Sequence, residues 1–416
     1  MKHTLVVFFL VPLLTFAQAI DKMEAYYYDF VKYGENKIYT PQENTLSHFF
    51  DQLDTLAAQQ DRKVNVVHIG DSHIQADFFS NVMREKLLTE PYFGNGGRGF
   101  LFPYRLAHTN NPYHYYTGYT GTWKGYRNSI SRDKSDYGLA GITAITYSSS
   151  STFSVKMNTW DDAKVEFASN EVKVFYPVLD STSFDVYLKQ GDSLISGVID
   201  SSGFITFKSD SLVAKMKFVL RQNHAYQTHF LIQGLLLSND DNGIVYSSIG
   251  VNGAKIDSYL RSTCFVPHLA QTNADLVIIS LGTNDAYNYG FDPNVFKANL
   301  KQLIEWIREA CPNTSILLTA PGDGLRSRWK TNNDNSRAVE ALLEIAQSEN
   351  CALWDFYSVM GGLLSIKKWR EFGLGQADHL HLTGDGYQLQ GSMLYEALIL
   401  NLYFNERQKI LSPIAK

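Results

Sequence analysis

Two largely apolar runs, Lys63 to Ile69 and Asp275 to Leu281, each end abruptly in a polar, glycine-led turn: Gly70-Asp71-Ser72-His73 and Gly282-Thr283-Asn284-Asp285. Runs of this length without alternation read as strands covered on both faces, as in a parallel sheet. After the first turn, Phe78, Phe79, Val82, Met83, Leu87 and Leu88 recur at helical spacing, from Ile74 to a stop before Pro91. Strand, tight polar turn and helix form the opening unit of a doubly wound sheet.

The same rhythm resumes near Gly243. Ile244 to Ile249, Asp275 to Leu281, Ser315 to Thr319 and Ala352 to Trp354 read as strands. Helices are expected over about Pro293 to Ala310, Arg337 to Gln347 and Tyr387 to Leu402. Between Phe100 and Ser238 the rhythm breaks. Phe153 to Met157, Lys164 to Phe167, Val172 to Tyr176, Phe184 to Leu188, Phe204 to Phe207 and Ala214 to Leu220 are short runs separated by Asp, Ser, Asn and Gly clusters. Strands at that spacing predict an antiparallel sandwich. The economical organisation is one α/β domain, residues 20–99 and 241–416, interrupted by a β-rich insertion over 100–240.

Residues 1–19 carry the pattern of an export signal: Lys2 and His3, an apolar run from Leu5 to Phe16, then Ala17-Gln18-Ala19. That run is short for a bilayer span, and no later segment reaches the length of one. A periplasmic or extracellular location is therefore expected. The net charge of −5 carries no polyanion-binding signature and argues against nucleic acid as a partner. Three cysteines, Cys264, Cys311 and Cys351, do not make a disulfide framework, although one bond between two of them is allowed. The His and Cys spacings show no zinc pattern.

Ser72 stands where a strand gives way to a helix, a place that aims Oγ out of the sheet; it serves there either as a nucleophile or as a helix cap. A serine nucleophile needs a base and donors for the developing oxyanion. Asp378-His379-Leu380-His381 supplies a candidate base, His381, with Asp378 placed to hold its imidazole in one tautomer. His379 is expected to point away if His381 points in, and Thr383 to cap the last helix. Asn284 either presents its amide to a substrate oxygen or serves its turn, where Asp285 braces the loop.

These blocks resemble those of the SGNH (GDSL-type) hydrolases. Gly70-Asp71-Ser72 is similar to the first block, Gly282-Thr283-Asn284-Asp285 to the third, and Asp378 to His381 to the fifth. In Ile249-Gly250-Val251-Asn252-Gly253-Ala254 the second block is weaker: Gly253 is the first choice for its glycine and Gly250 the alternative. His73, where the family usually has Leu, with Gln75-Ala76-Asp77 after it, is similar to the peptidoglycan O-acetylesterase branch and its O-acetyltransferase relatives.

The resemblance implies a three-layer α/β/α fold and esterase chemistry with no metal or organic cofactor. It implies catalysis by Ser72, Asp378 and His381, with an oxyanion held by Ser72, Gly253 and Asn284. The expected substrate is an acylated glycan, peptidoglycan or another polysaccharide, that loses a short acyl group, with acetyl expected. An O-acetyltransferase with the same residues, or a glycan-binding protein with an idle site, are the alternatives. Two further segments draw attention. Phe93 to Phe100 is too glycine-rich for helix or strand and reads as a loop at the site or a plain connector. Tyr113, Tyr115, Tyr116, Tyr119, Trp123 and Tyr126 either stack on sugar or pack between the two parts.

Overall fold

A computed structural model describes residues 28–159, 164–177, 179–200, 202 and 204–411, with side chains as far as residue 402. The expected signal at 1–19 lies outside the described residues. The frame is a seven-stranded sheet. Its strands are β1 (Ile38–Tyr39), β2 (Lys63–Gly70), β3 (Asn95–Gly97), β4 (Gly243–Gly250), β5 (Leu276–Ser280), β6 (Ser315–Thr319) and β7 (Ala352–Trp354).

Their spatial order is β1-β7-β6-β5-β2-β4-β3, parallel throughout except for the two-residue β1 at the edge. The chain builds from β2 to β4 on one side, then crosses to β5 on the other. Such a reversal opens a crevice at the C-terminal ends of the flanking strands. The apolar faces of α1 (Ser47–Gln59), α4 (Pro293–Ala310) and α5 (Asp334–Ser348) are buried, through Phe49, Phe50, Leu53 and Leu56 in the first and Phe296, Leu300, Leu303, Ile304 and Ile307 in the second. The last helix, α6, runs Gly384–Leu411. No helix among the described residues is long and apolar enough to cross a membrane.

The helix expected from Ile74 is two pieces, α2 (Ser72–Gln75) and α3 (Phe78–Leu88). They part at Asp77, which is left-handed with φ of 59°. Its buried carboxylate accepts from Arg84, Arg98, Ser80 and Ser248. Burial alone would raise this carboxyl, but the two guanidinium groups outweigh it and hold it well below the ordinary range.

Two expectations fail for identifiable reasons. The glycine tract is not a loop: Asn95–Gly97 pairs with β4 and Gly99–Leu101 with the strand Gly234–Ser238. A Cβ on Gly96 would lie 2.6 Å from the Gly243 carbonyl oxygen, and one on Gly99 2.4 Å from Ser247 Oγ. Here glycine is what lets the strands approach. Conversely, Lys164 to Phe167 is not a strand. The Asn158 side chain accepts from Phe167 N at 2.8 Å and donates to Phe167 O at 3.0 Å, taking the groups a neighbouring strand would use.

From Gly99 to Ser238 the chain forms antiparallel sheets of five, five and three strands. Of the aromatic segment, Tyr115 and Trp123 are buried, whereas Tyr116 is exposed with the Arg105 guanidinium 4.6 Å from its ring centre. All three cysteines are unbonded, Cys311 and Cys351 in the core.

Candidate active site

The register of three adjacent strands sets the site. Gly70 at the end of β2 pairs with Gly250 at the end of β4 on one side and with Ser280 at the end of β5 on the other. The turns carrying Ser72, the segment 251–254 and Asn284 therefore leave one row of the sheet. Gly70 cannot carry a side chain, since a Cβ would sit 2.3 Å from Ile74 Cγ1 and 2.9 Å from the Ser280 carbonyl oxygen.

Asp71, not Ser72, caps α2: its Oδ1 accepts from His73 N at 3.0 Å. The Ser72 hydroxyl is left for other work and lies 2.9 Å from His381 Nε2. His381 Nδ1 lies 2.7 Å from Asp378 Oδ2, while Asp378 Oδ1 accepts from the N–H groups of Leu380 and His381. Burial pushes the Asp378 carboxyl up, but its hydrogen bonds to His381 and Leu380 win and hold it below its ordinary value. An ionised Asp378 keeps the proton of a neutral His381 on Nδ1, so Nε2 faces Ser72 as an acceptor. Behind this loop, Thr383 Oγ1 accepts from Gly386 N and donates to Gly373 O, the expected cap of α6.

His379 turns the other way, its Nε2 accepting from Arg370 at 3.0 Å. His73 lies alongside His381, ring centres 5.0 Å apart, with Nδ1 2.8 Å from the Tyr387 hydroxyl. Burial, reinforced by His381, drives its pKa down to about 3, so it stands as a neutral partner.

The candidate oxyanion donors differ in their surroundings. Gly250 is buried, with its N–H 3.3 Å from the Tyr104 hydroxyl, and a Cβ there would sit 2.1 Å from Gln75 N. Gly253 is exposed, has φ of 77° and faces open space. Asn284 donates one amide hydrogen to Asp71 Oδ2 and the other to Ala254 O, both at 3.0 Å. Asp285 braces the 254–256 turn through Ile256 N, and burial raises its carboxyl to about 7.

Sequence reasoning gave no role to Gln75. Its Oε1 accepts from Asn252 N at 2.7 Å, and its Nε2 donates to Thr109 Oγ1 and Asn110 O. One amide thus ties α2, the 251–254 segment and the β-rich region together. Tyr387 and the Asp71 contact to Asn284 were missed likewise; the only signal was their nearness to the polar blocks.

Residues 191–389 match the GDSL-like Lipase/Acylhydrolase family, a span that contains Asn284, Asp378 and His381 but not Ser72. The fold is similar to that of a peptidoglycan O-acetylesterase structure, with 22% identity and a TM-score of 0.72 over 88% of this chain and 99% of that one. An acetyl xylan esterase from Geobacillus stearothermophilus also matches, at 19% identity and a TM-score of 0.29, over 39% of this chain and 73% of that one. A GDSL-like lipase from Bacteroides thetaiotaomicron matches at 18% identity and a TM-score of 0.29, over 36% and 72% of the two chains. No curated protein matches the chain.

Proposed function

We propose that the chain, whose residues 191–389 match the GDSL-like Lipase/Acylhydrolase family, is an exported serine esterase that removes O-acetyl groups from a glycan. The observation that carries this reading is the hydrogen-bonded line from Ser72 Oγ through His381 to Asp378, joining residues from opposite ends of the sequence. The name of the peptidoglycan O-acetylesterase structure supports acetyl as the acyl group and a glycan as its bearer. Residues 1–19 support export.

In this reading His381 Nε2 takes the Ser72 proton as Oγ attacks the ester carbonyl, and Asp378 steadies the imidazolium. The N–H groups of Ser72 and Gly253, with the Asn284 amide once it has released a present partner, receive the oxyanion. Collapse expels the sugar hydroxyl, which leaves with the proton held by His381. Water then repeats the sequence on the acyl-serine, releasing acetate and restoring Ser72.

The organisation that goes with this function is a three-layer α/β/α hydrolase domain, 20–99 and 241–416, with an antiparallel sandwich inserted at 100–240. Pairing of Gly99–Leu101 with Gly234–Ser238 supports those bounds. Contact between Phe207 and Phe218, from different five-stranded sheets with ring centres 5.9 Å apart, supports the sandwich.

Hydrolysis of an aryl acetate, followed beside acetate release from acetylated peptidoglycan and xylan, tests the reading. Ser72→Ala should abolish activity with an unchanged melting curve, and Asp378→Asn should lower kcat about 10^3- to 10^4-fold by mis-setting the His381 tautomer. Full activity in Ser72→Ala would overturn it.

A further inference from the structure

Against the 376–383 loop, at His379, lies a depression of about 460 Å³, lined by Arg328, Trp329, Lys367, Arg370, Glu371 and His379 among others. It is built from three segments. A bridge between Arg326 and Lys330 closes a turn whose tip is Arg328 and Trp329, and Ser327 and Arg328 are left-handed there, with φ of 50° and 71°. The short helix Ser365–Glu371 supplies Lys367 and Arg370. The loop that holds Asp378 and His381 supplies His379, whose carbonyl accepts from Leu325 N at 2.9 Å.

The charges in this depression do not balance. Arg328, Lys367 and Arg370 bring three cations, while Glu371 is engaged by Lys368 at 2.9 Å. Neither Arg328 nor Lys367 forms an ion pair among the described residues. The guanidinium of Arg370 is aimed by His379: a guanidinium only donates, so His379 Nε2 accepts and its hydrogen resides on Nδ1. That Nδ1 is buried without a protein partner, on a side chain only 6% exposed.

Trp329 is 76% exposed although it carries the largest apolar side chain, and its ring lies edge-on to His379 at 6.1 Å. A tryptophan held in water forgoes about 2 kcal/mol or more of burial. An indole face beside guanidinium groups suits the C–H face of a sugar ring that bears a carboxylate, which arginine meets with two parallel hydrogen bonds.

We propose that this depression is a subsite for an acidic sugar, so that the substrate is an acetylated glycan carrying carboxylates. The inference rests on reading the Ser72 site as a glycan esterase. Trp329 supports the ring, and Arg328, Lys367 and Arg370 take the carboxylate. The shared loop brings the bound chain to the same structural unit that presents His381.

The test compares the full chain on acetylated polygalacturonate oligosaccharides, on acetylated xylo-oligosaccharides and on 4-nitrophenyl acetate. Wild type should favour the acidic substrate by about tenfold or more in kcat/KM, and salt at 0.5 M should erode that preference. Trp329→Ala and the double variant Arg328→Ala/Lys367→Ala should each raise KM for the acidic substrate about tenfold, with 4-nitrophenyl acetate turnover unchanged. Equal rates on the two glycans, or variants that keep the preference, would overturn the subsite. Absence of 4-nitrophenyl acetate hydrolysis would instead sink the esterase reading. The subsite is then judged by calorimetric binding of unacetylated polygalacturonate to Ser72→Ala, expected to weaken about tenfold on adding Trp329→Ala; no binding, or binding that Trp329→Ala leaves unchanged, would overturn it.

Discussion

Asp71 Oδ2 lies 3.0 Å from Asn284 Nδ2, so the turn that carries Ser72 also holds the amide expected to meet the oxyanion. With the second hydrogen on Ala254 O, that amide is oriented but fully occupied. Replacing Asp71 by Asn sets one amide against another and loosens this hold, while Oδ1 still accepts from His73 N. We expect kcat on an aryl acetate to fall about 10- to 100-fold with little change in KM. A fall confined to KM would place Asp71 in binding instead.

Gly250, which ends β4, and Gly253 beyond it should lose stability for different reasons. In Gly250→Ala the new carbon meets backbone at 2.1 Å from Gln75 N and 2.6 Å from Asp71 O, and backbone cannot step aside as a side chain can. We expect a loss of about 1–3 kcal/mol or more, seen in urea unfolding. Gly253→Ala meets nothing within 4 Å and bears only its left-handed φ, about 1–2 kcal/mol.

Gln75→Leu removes the acceptor for Asn252 N and both donors to residues 109 and 110 at nearly constant volume. If Gly253 serves the oxyanion, the freed 251–254 segment should lower kcat about 10- to 100-fold. Steady-state kinetics on an aryl acetate, with melting curves alongside, separate this from unfolding.

Acid should weaken the fold well above the range of ordinary carboxylates. His68, bonded to Tyr246 and Ser280, and His268, packed against Phe175 and Phe204, are both driven down to about 3 by burial. Unfolded, each takes a proton near 6.5; folded, each refuses it until about 3. The unfolded chain thus binds more protons across that window, and stability falls as pH drops through it, by about 1.4 kcal/mol per pH unit for each histidine. Urea midpoints between pH 7.5 and 4.5 measure the slope, which His268→Leu should make shallower.

The central strands were legible because burial on both faces leaves a continuous apolar run, as in Leu276 to Ile279. The place of Ser72 was legible because it follows a readable strand, and that of Asp378 and His381 because they stand a few residues before a readable helix. Asn95–Gly97 was not: its strand depends on how near another backbone lies, which the sequence of three small residues does not state. Nor were the positioning contacts. Gln75 and Asn252 are 177 residues apart, Asp71 and Asn284 213, and His73 and Tyr387 314, so each pairing exists only after the sheet has closed.

Only Arg98 separates the strand that ends at Gly97 from the one that begins at Gly99, and its side chain is clamped by Asp77 at the break before α3. A joint one residue long, with its side chain bolted down, leaves no slack for a hinge. At this joint, and through the contacts of Thr109 and Asn110 with Gln75, the β-rich region is fixed to the sheet like masonry and not hung as a jaw. If the site takes glycans as proposed, which of them can enter is set when the chain folds, before any arrives.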